Sequence, residues 1–324
     1  MSERTKIAWC DSTDNFWEGC TKVSAGCANC YAEARDMRFT GGARWGKGAA
    51  RRKSKSAVKD ALAFNRRPLI CNVCGEALPL IGDDYKKGPE FTTHRRRIFS
   101  LSLGDWLDPE VPIDWLAEML DTIRQCDQVN WILCTKRPEL WEERVGLAQM
   151  TAARQGNFKC SDWLARWLNG NPPNNVCVLA SVENQELAEA RVPALLRIPA
   201  RWHGLSCEPL LGPLDLTRVY WPDRDGGAKY EDALRDPISD YAKRHYPAAR
   251  RLNVPRLRWL IIGGESGPNA RPCNVEWIRA LVAQGKAAGV ATFVKQMHDA
   301  NGKLLKEMDQ FPKDLQIQQF PFDK

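Results

Sequence analysis

Six short apolar runs place the tightest limit on what this chain can fold into. They lie at 98–103, 129–133, 176–179, 202–205, 258–262 and 291–294. Between most of them apolar residues recur three and four apart, as in Trp115, Met119, Leu120 and Ile123, or Trp277, Ile278, Leu281 and Val282. Runs that are apolar along their whole length suit strands buried on both faces, the usual state of parallel strands covered by helices. The alternation predicts an α/β fold of repeated βα units with a parallel sheet. Six or seven such units suit a partial barrel of the (β/α)6 type, and an open doubly wound sheet is the alternative.

Two stretches interrupt this rhythm. Residues 40–97 are rich in Gly, Arg and Lys, and residues 215–256 are polar with many Pro, Arg and Asp. Both read as insertions on one domain spanning 1–324. With 44% apolar residues the 324-residue chain can build a large core, which excludes global disorder. No apolar run reaches the ~18 residues of a membrane span, and the first residues carry no apolar signal core. A cytoplasmic protein is the expectation, with no membrane partner. In a reducing compartment the 12 cysteines are then buried thiols, metal ligands or chemistry rather than a disulfide framework.

The net charge of +7 is unevenly spread. From Arg35 to Arg67 eleven Lys/Arg face only Asp36 and Asp60, a local +9 that leaves the rest of the chain at −2. The densest part, 44–55, adds Trp45 and glycines to Arg51, Arg52, Lys53 and Lys55. Cations can track phosphates while an aromatic ring stacks on a base, so this loop is a candidate nucleic-acid surface, which His94-Arg95-Arg96-Arg97 could extend. A solvated charge run is the ordinary alternative.

Every predicted strand exits into small or charged residues. The first gives Ser102, Gly104 and Asp105, the second Thr135-Lys136-Arg137-Pro138, the third Ser181-Val182-Glu183-Asn184. The fourth gives Ser206-Cys207-Glu208-Pro209, the fifth Gly263-Gly264-Glu265-Ser266-Gly267, the sixth Lys295-Gln296. In a parallel array these exits share the carboxyl edge, where ligands bind. One polar exit would merely cap a helix; six predict a site. The Gly263-Gly264-Glu265 turn could approach a phosphate, carboxylate or amine, but it is neither a P-loop nor a GxGxxG fingerprint.

Cys20, Cys27 and Cys30 fall within eleven residues of a glycine-containing loop. Three thiolates there can converge on a metal centre. Closed zinc sites want four ligands, the fourth here drawn from Cys10, His203 or His298, whereas a four-iron cluster can leave one iron open. Spacing alone leaves both standing, with buried thiols as a third reading. Cys71 and Cys74 form a knuckle-like pair that could be half a zinc site, completed by His94 or another cysteine. Cys126, Cys134, Cys160 and Cys177 lie in apolar periodic segments and read as core. Cys207 also reads as buried, though its place beside Glu208 could turn it to the site.

Several of these motifs together resemble the phage three-cysteine-motif, radical-SAM-like family. They are Thr5-Lys6-Ile7-Ala8-Trp9, the segment from Gly19-Cys20 through Cys27 to Cys30-Tyr31-Ala32-Glu33, Thr135-Lys136-Arg137-Pro138, Ser181-Val182-Glu183-Asn184-Gln185, Ser206-Cys207-Glu208-Pro209-Leu210 and Gly263-Gly264-Glu265-Ser266-Gly267. The resemblance covers nearly the whole chain apart from the two insertions. It implies a partial radical SAM barrel with a [4Fe-4S] cluster on Cys20, Cys27 and Cys30, S-adenosyl-L-methionine chelating the fourth iron. The first cysteine gap here is six residues, where most radical SAM enzymes have three, and Gly263-Gly264-Glu265 comes late in the chain. Ser102, Asp105, Ser181, Gly263, Gly264 and Glu265 are the candidate cofactor-binding residues, Asp105 and Glu265 being equal candidates for the amine. Lys136, Glu183, Glu208 and Lys295 are the candidate catalytic residues, holding substrate or managing protons.

The same resemblance implies a 5′-deoxyadenosyl radical that abstracts an unactivated hydrogen, with a flavodoxin-type reductant supplying the electron. Phage enzymes of this general type act in thymidine hypermodification, rearranging a glycyl substituent on thymine in viral DNA. With the basic loop, this makes an isomerase acting on a modified base in phage DNA the leading expectation, in the host cytoplasm. A zinc-stabilised, non-catalytic nucleic-acid-binding protein, or a radical SAM enzyme acting on a protein or small molecule, are the alternatives.

Overall fold

A computed structural model of the chain describes residues 4–80, 92–222, 228–235, 256–267 and 269–323. All six apolar runs are strands: β2 (Arg97–Ser100), β3 (Asn130–Thr135), β4 (Val176–Ser181), β5 (Trp202–Cys207), β6 (Leu257–Gly263) and β7 (Ala291–His298). Two more complete the sheet, β1 (Ser12–Asp14) and β8 (Leu304–Leu305). The fold is mixed α/β around this eight-stranded, mostly parallel sheet, in the order β1-β2-β3-β4-β5-β6-β7-β8. Ser12 pairs with Ile98, Ile98 with Trp131, Gly204 with Trp259 and Trp259 with Ala291, all parallel, while β8 returns antiparallel to β7. Spatial order follows chain order without reversal. A doubly wound sheet needs a reversal to make its switch point, so that alternative is set aside.

The chain divides into two compact units. The first takes in the residues up to Val23 and Cys30–Val178; the second takes in Ser24–Asn29 and Leu179–Phe322. The first unit carries α1 (Tyr31–Thr40), α2 (Ala57–Arg66), α3 (Ile113–Gln125), α4 (Trp141–Arg154) and α5 (Phe158–Leu168). On α3 the predicted spacing holds for Met119, Leu120 and Ile123, which are fully buried, whereas Trp115 is half-buried and its neighbour Leu116 completes the buried face. Each such side chain contributes about 1.5–3 kcal/mol by leaving water. The second unit carries α6 (Gln185–Arg197) and α7 (Val275–Ala288). Asn184 Oδ1 accepts from Leu187 N–H at 3.0 Å to start α6, and Asn274 Oδ1 accepts from Glu276 N–H at 2.9 Å to start α7. Inside this unit a Cβ on Gly204 would lie 2.7 Å from both the Leu179 side chain and the Trp259 carbonyl, so only glycine lets β5 pack there.

The basic insertion is folded where it is described. Trp17–Glu18 pairs with Arg52–Lys53, and Leu69–Cys71 pairs with both Ala77–Leu78 and Thr93–Arg95. Part of it, 81–91, lies outside the described residues, as do 223–227 and 236–255 of the polar insertion. The remainder of the polar insertion holds a hairpin of Val219–Pro222 with Ala228–Glu231. Among the described residues no helix is long and apolar enough to cross a membrane.

Candidate functional site

In the first unit the exits of β2 and β3 converge on one carboxylate. Asp105 Oδ1 accepts from Thr135 Oγ1 at 2.7 Å and Leu107 N–H at 3.0 Å. Its Oδ2 accepts from Lys136 N–H at 3.0 Å and the Arg137 guanidinium at 2.7 Å. Arg137 then reaches Cys20: its two terminal nitrogens stand 3.7 and 3.8 Å from Sγ, and one donates to Thr21 O at 2.7 Å. Burial, with the Asp105 carboxylate behind it, pushes the Cys20 thiol up to about 12, while Arg137 pulls it down. Burial alone would lower Arg137, but Asp105 holds it firmly charged. Ser102 lies beside this network, its hydroxyl bonded to Asn15 and its carbonyl accepting from the Tyr31 hydroxyl. Cys30 caps the start of α1.

The cations of the insertion play different parts. Arg52 and Lys53 are exposed and ion-paired, to Glu18 and Glu118, and Lys55 is exposed. Trp45 is half-buried, its backbone bridged to Cys20. Arg51 is different: its side chain is fully enclosed. It donates to Asp108 Oδ2 (2.9 Å), Thr21 Oγ1 (2.7 Å) and the carbonyls of Arg44, Gly46 and Ala49 (3.2, 3.0 and 2.8 Å). The expectation that Arg51 meets nucleic acid is therefore corrected. Five protein acceptors hold it inside, where it organises the loop.

In the second unit the exits of β4, β5 and β6 carry three paired carboxylates. Glu183 is fully buried and accepts from Arg191 at 2.9 Å and from Ser24 Oγ at 3.0 Å. Arg191 also donates to the Ser181 carbonyl at 2.8 Å. A Cβ on Gly26 would lie 2.3 Å from Glu183 Oε1, so glycine is required one residue before Cys27. Glu208 pairs with Lys295 at 3.1 Å, and a Cβ on Gly263 would stand 2.7 Å from its Oε1. Glu265 accepts from Asn29 Nδ2 at 2.9 Å and from three nitrogens of Arg271, at 2.8, 2.9 and 2.5 Å. Hydrogen bonds from Arg271 hold its carboxyl at about 2, against the ordinary 4.5.

Over this frame the comparison with known families gives one answer. Residues 4–316 match a family described as a protein of unknown function, DUF5131. The chain belongs to DUF5131. No curated protein matches it.

The geometry of this DUF5131 chain sorts the expected residues. Asp105 with Lys136, and Glu208 with Gly263 and Lys295, are brought together; Ser102, Ser181, Gly264 and Glu183 sit at strand exits. A carboxylate has about four lone-pair sites, and Asp105 and Glu265 each already accept four hydrogen bonds. An amine could reach either only by displacing a protein donor. Cys126, Cys160, Cys177 and Cys207 are buried, and burial raises all four thiols. His203 is buried against the Ile198 carbonyl at 2.7 Å, and desolvation lowers it to about 4. The Cys71 thiol is lowered by the backbone N–H groups of Cys74 and Val73, and the Gly75 N–H closes the turn on Cys71 O at 2.9 Å. Among the described residues no group of three or more His, Cys, Asp or Glu side chains could hold a single metal ion. Of the three loop cysteines, Cys20 has the Arg137 guanidinium against its Sγ, and a thiolate beside a cation is a donor that an iron–sulfur cluster accepts.

Sequence reasoning overlooked Arg137 and Arg191. Arg137 lies within the quoted Thr135-Lys136-Arg137-Pro138, and Arg191 follows Ser181-Val182-Glu183-Asn184-Gln185. The available signal was an arginine within reach of a strand-exit acid, since a buried carboxylate needs a cation.

Proposed function

We propose that the chain is a radical S-adenosyl-L-methionine enzyme that modifies a nucleic-acid base, with Cys20, Cys27 and Cys30 holding a [4Fe-4S] cluster. The observation that carries this reading is the three-cysteine loop with the Asp105-anchored Arg137 guanidinium against Cys20 Sγ. Hydrogen bonds and positive charge at a cluster thiolate are the means by which proteins tune such centres. The unreversed strand order supports a partial (β/α)6 barrel as the finer description of the fold. When bound, the cluster and S-adenosyl-L-methionine supply one-electron cleavage and a 5′-deoxyadenosyl radical that abstracts hydrogen.

The chain's own residues supply orientation and proton control. Arg137, locked by Asp105, fixes the position of Cys20. Glu183 is held by Arg191 and Ser24 and orients the segment that carries Cys27. Glu265 and Arg271 clasp the same segment, Arg271 donating to Ala25 O at 3.0 Å. The Glu208–Lys295 pair joins the exit of β5 to the interior of β7, which runs on to His298 past the expected exit at Lys295-Gln296; half-buried, it can hold a polar substrate group or pass a proton to it. In the first unit Lys136 is a separate candidate for a substrate-holding cation. The substrate of this proposal is a hypermodified thymine whose glycyl substituent is rearranged, in phage DNA within the host cytoplasm, with a flavodoxin-type electron donor.

Anaerobic reconstitution with iron and sulfide tests the reading. Four irons per chain and 5′-deoxyadenosine formed from S-adenosyl-L-methionine under dithionite are expected, both abolished by Cys27→Ser. Uptake of zinc alone, with no 5′-deoxyadenosine, would overturn it. That outcome would favour a zinc-stabilised, non-catalytic nucleic-acid-binding protein, a second reading that draws on the turn at Cys71 and Cys74.

A further inference from the structure

Helix α1 is poorly buried for an element of a folded unit. Of its ten residues only Ala32 and Asp36 are buried, while Tyr31, Met37 and Phe39 are 53%, 57% and 68% exposed. At 3.6 residues per turn Tyr31 and Phe39 share a face with Arg35 and Arg38 while Met37 lies on another, and large apolar side chains left in water on such a face mark a contact surface. Their setting is cationic. The guanidinium carbons of Arg35 and Arg38 both stand 5.5 Å from the centre of the Phe39 ring. Arg35 shares Glu18 with Arg44 and Arg52, at 3.4, 2.8 and 2.6 Å, and Arg44 also reaches Asp36 at 3.4 Å. Two carboxylates thus face three arginines, and the exposed Arg38 adds to the excess.

We infer that this face of α1 binds single-stranded nucleic acid, with Phe39 as a base-stacking platform and Arg35 and Arg38 as phosphate contacts. The inference names the strand state and docking surface of the substrate class proposed above, and for nucleic acid it rests on that reading. A ring on an exposed helix face can stack only on a base that is already unpaired, whereas duplex ends its π-faces inside the stack. Cations flanking the ring are what a strand needs, since its phosphates lie on either side of each base. Arg51, enclosed by protein acceptors, takes no part.

Fluorescence anisotropy with a labelled oligothymidylate and the matching duplex tests this on the full chain, with neither iron nor S-adenosyl-L-methionine added. The single strand should bind more tightly than the duplex. Phe39→Ala should weaken it about tenfold, and Phe39→Trp should retain it. Arg35→Ala/Arg38→Ala should flatten the log–log salt slope by about 1.4, at roughly 0.7 per phosphate contact. Equal binding of duplex and single strand with Phe39→Ala neutral would overturn the inference. So would binding to anionic phospholipid vesicles with none to the oligonucleotide. Failure of the iron and 5′-deoxyadenosine assay would sink the radical reading while leaving this result as it stands.

Discussion

Asp105→Asn is the sharpest probe of the first unit, because the geometry fixes how the amide must fail. If its carbonyl replaces Oδ1, the NH2 group points at Lys136 N–H and Arg137, both donors. If its carbonyl replaces Oδ2, the NH2 group meets Leu107 N–H, while the Thr135 hydroxyl can turn to accept. The second pose is cheaper and still strands one buried N–H, which costs about 1–3 kcal/mol. In either pose Arg137 loses the charge of its partner, although both side chains are only 6% exposed. Breaking a buried pair from one side costs about 3–5 kcal/mol, and the retained hydrogen bonds favour the lower end of that range. A loss of about 3 kcal/mol corresponds to a fall in Tm of roughly 4–5 °C for a chain of 324 residues, at about 2.1 cal/mol/K per residue. Thermal melts of Asp105→Asn, Arg137→Gln and the double variant measure it. The double variant should be less destabilised than the sum of the singles by more than about 1 kcal/mol, since each single leaves the other's charge or donors unpaired. A Tm shift below about 2 °C, or simple additivity, would refute the argument.

Three further outcomes follow from the same physics. Arg51→Ala should destabilise the chain by about 3–5 kcal/mol in chemical denaturation, whereas the exposed Lys55→Ala should stay within about 0.5 kcal/mol; equal effects would mean that Arg51 is not the loop's internal anchor. Glu265 titrates at about 2 rather than 4.5, so its contribution is complete above the ordinary value and is lost as pH falls toward 2. Because Arg271 is 35% exposed, that contribution is on the order of 1–2 kcal/mol, and Glu265→Gln should remove the acid-side slope it adds. Asp14 behaves oppositely: burial, with Asp60 behind it, raises its carboxyl well above the usual range. The stability it permits at low pH declines as pH rises, so Asp14→Asn should be more stable than the parent at pH 8, by on the order of 1 kcal/mol, and no more stable at pH 4.

The six long strands were legible because each buries nearly every side chain, and continuous apolar runs carry that state openly. β1 was not, since Ser12, Thr13 and Asp14 are polar yet buried. Their burial comes from pairing with β2, more than eighty residues on, which no local pattern records. The strand-exit acids were legible as acids, but their states were not. Whether Asp105 or Glu265 is open depends on Arg137 and Arg271, and two arginines of the same motif type can point anywhere. The basic loop shows the same limit. Arg51 and Arg52 are neighbours of one kind, yet Arg51, just before the strand Arg52–Lys53, lies against Asp108 while Arg52 reaches Glu18.

That enclosed arginine has a consequence for how the loop meets any partner. A lysine- and glycine-rich segment free in solution would surrender much conformational freedom on binding a polyanion, at about 1–2 kcal/mol per ordered residue. Here three backbone carbonyls of the loop already converge on one internal cation, and that loss is incurred when the chain folds. The cations around it meet a ligand as a fixed array, so their spacing, and not only their number, can select what binds.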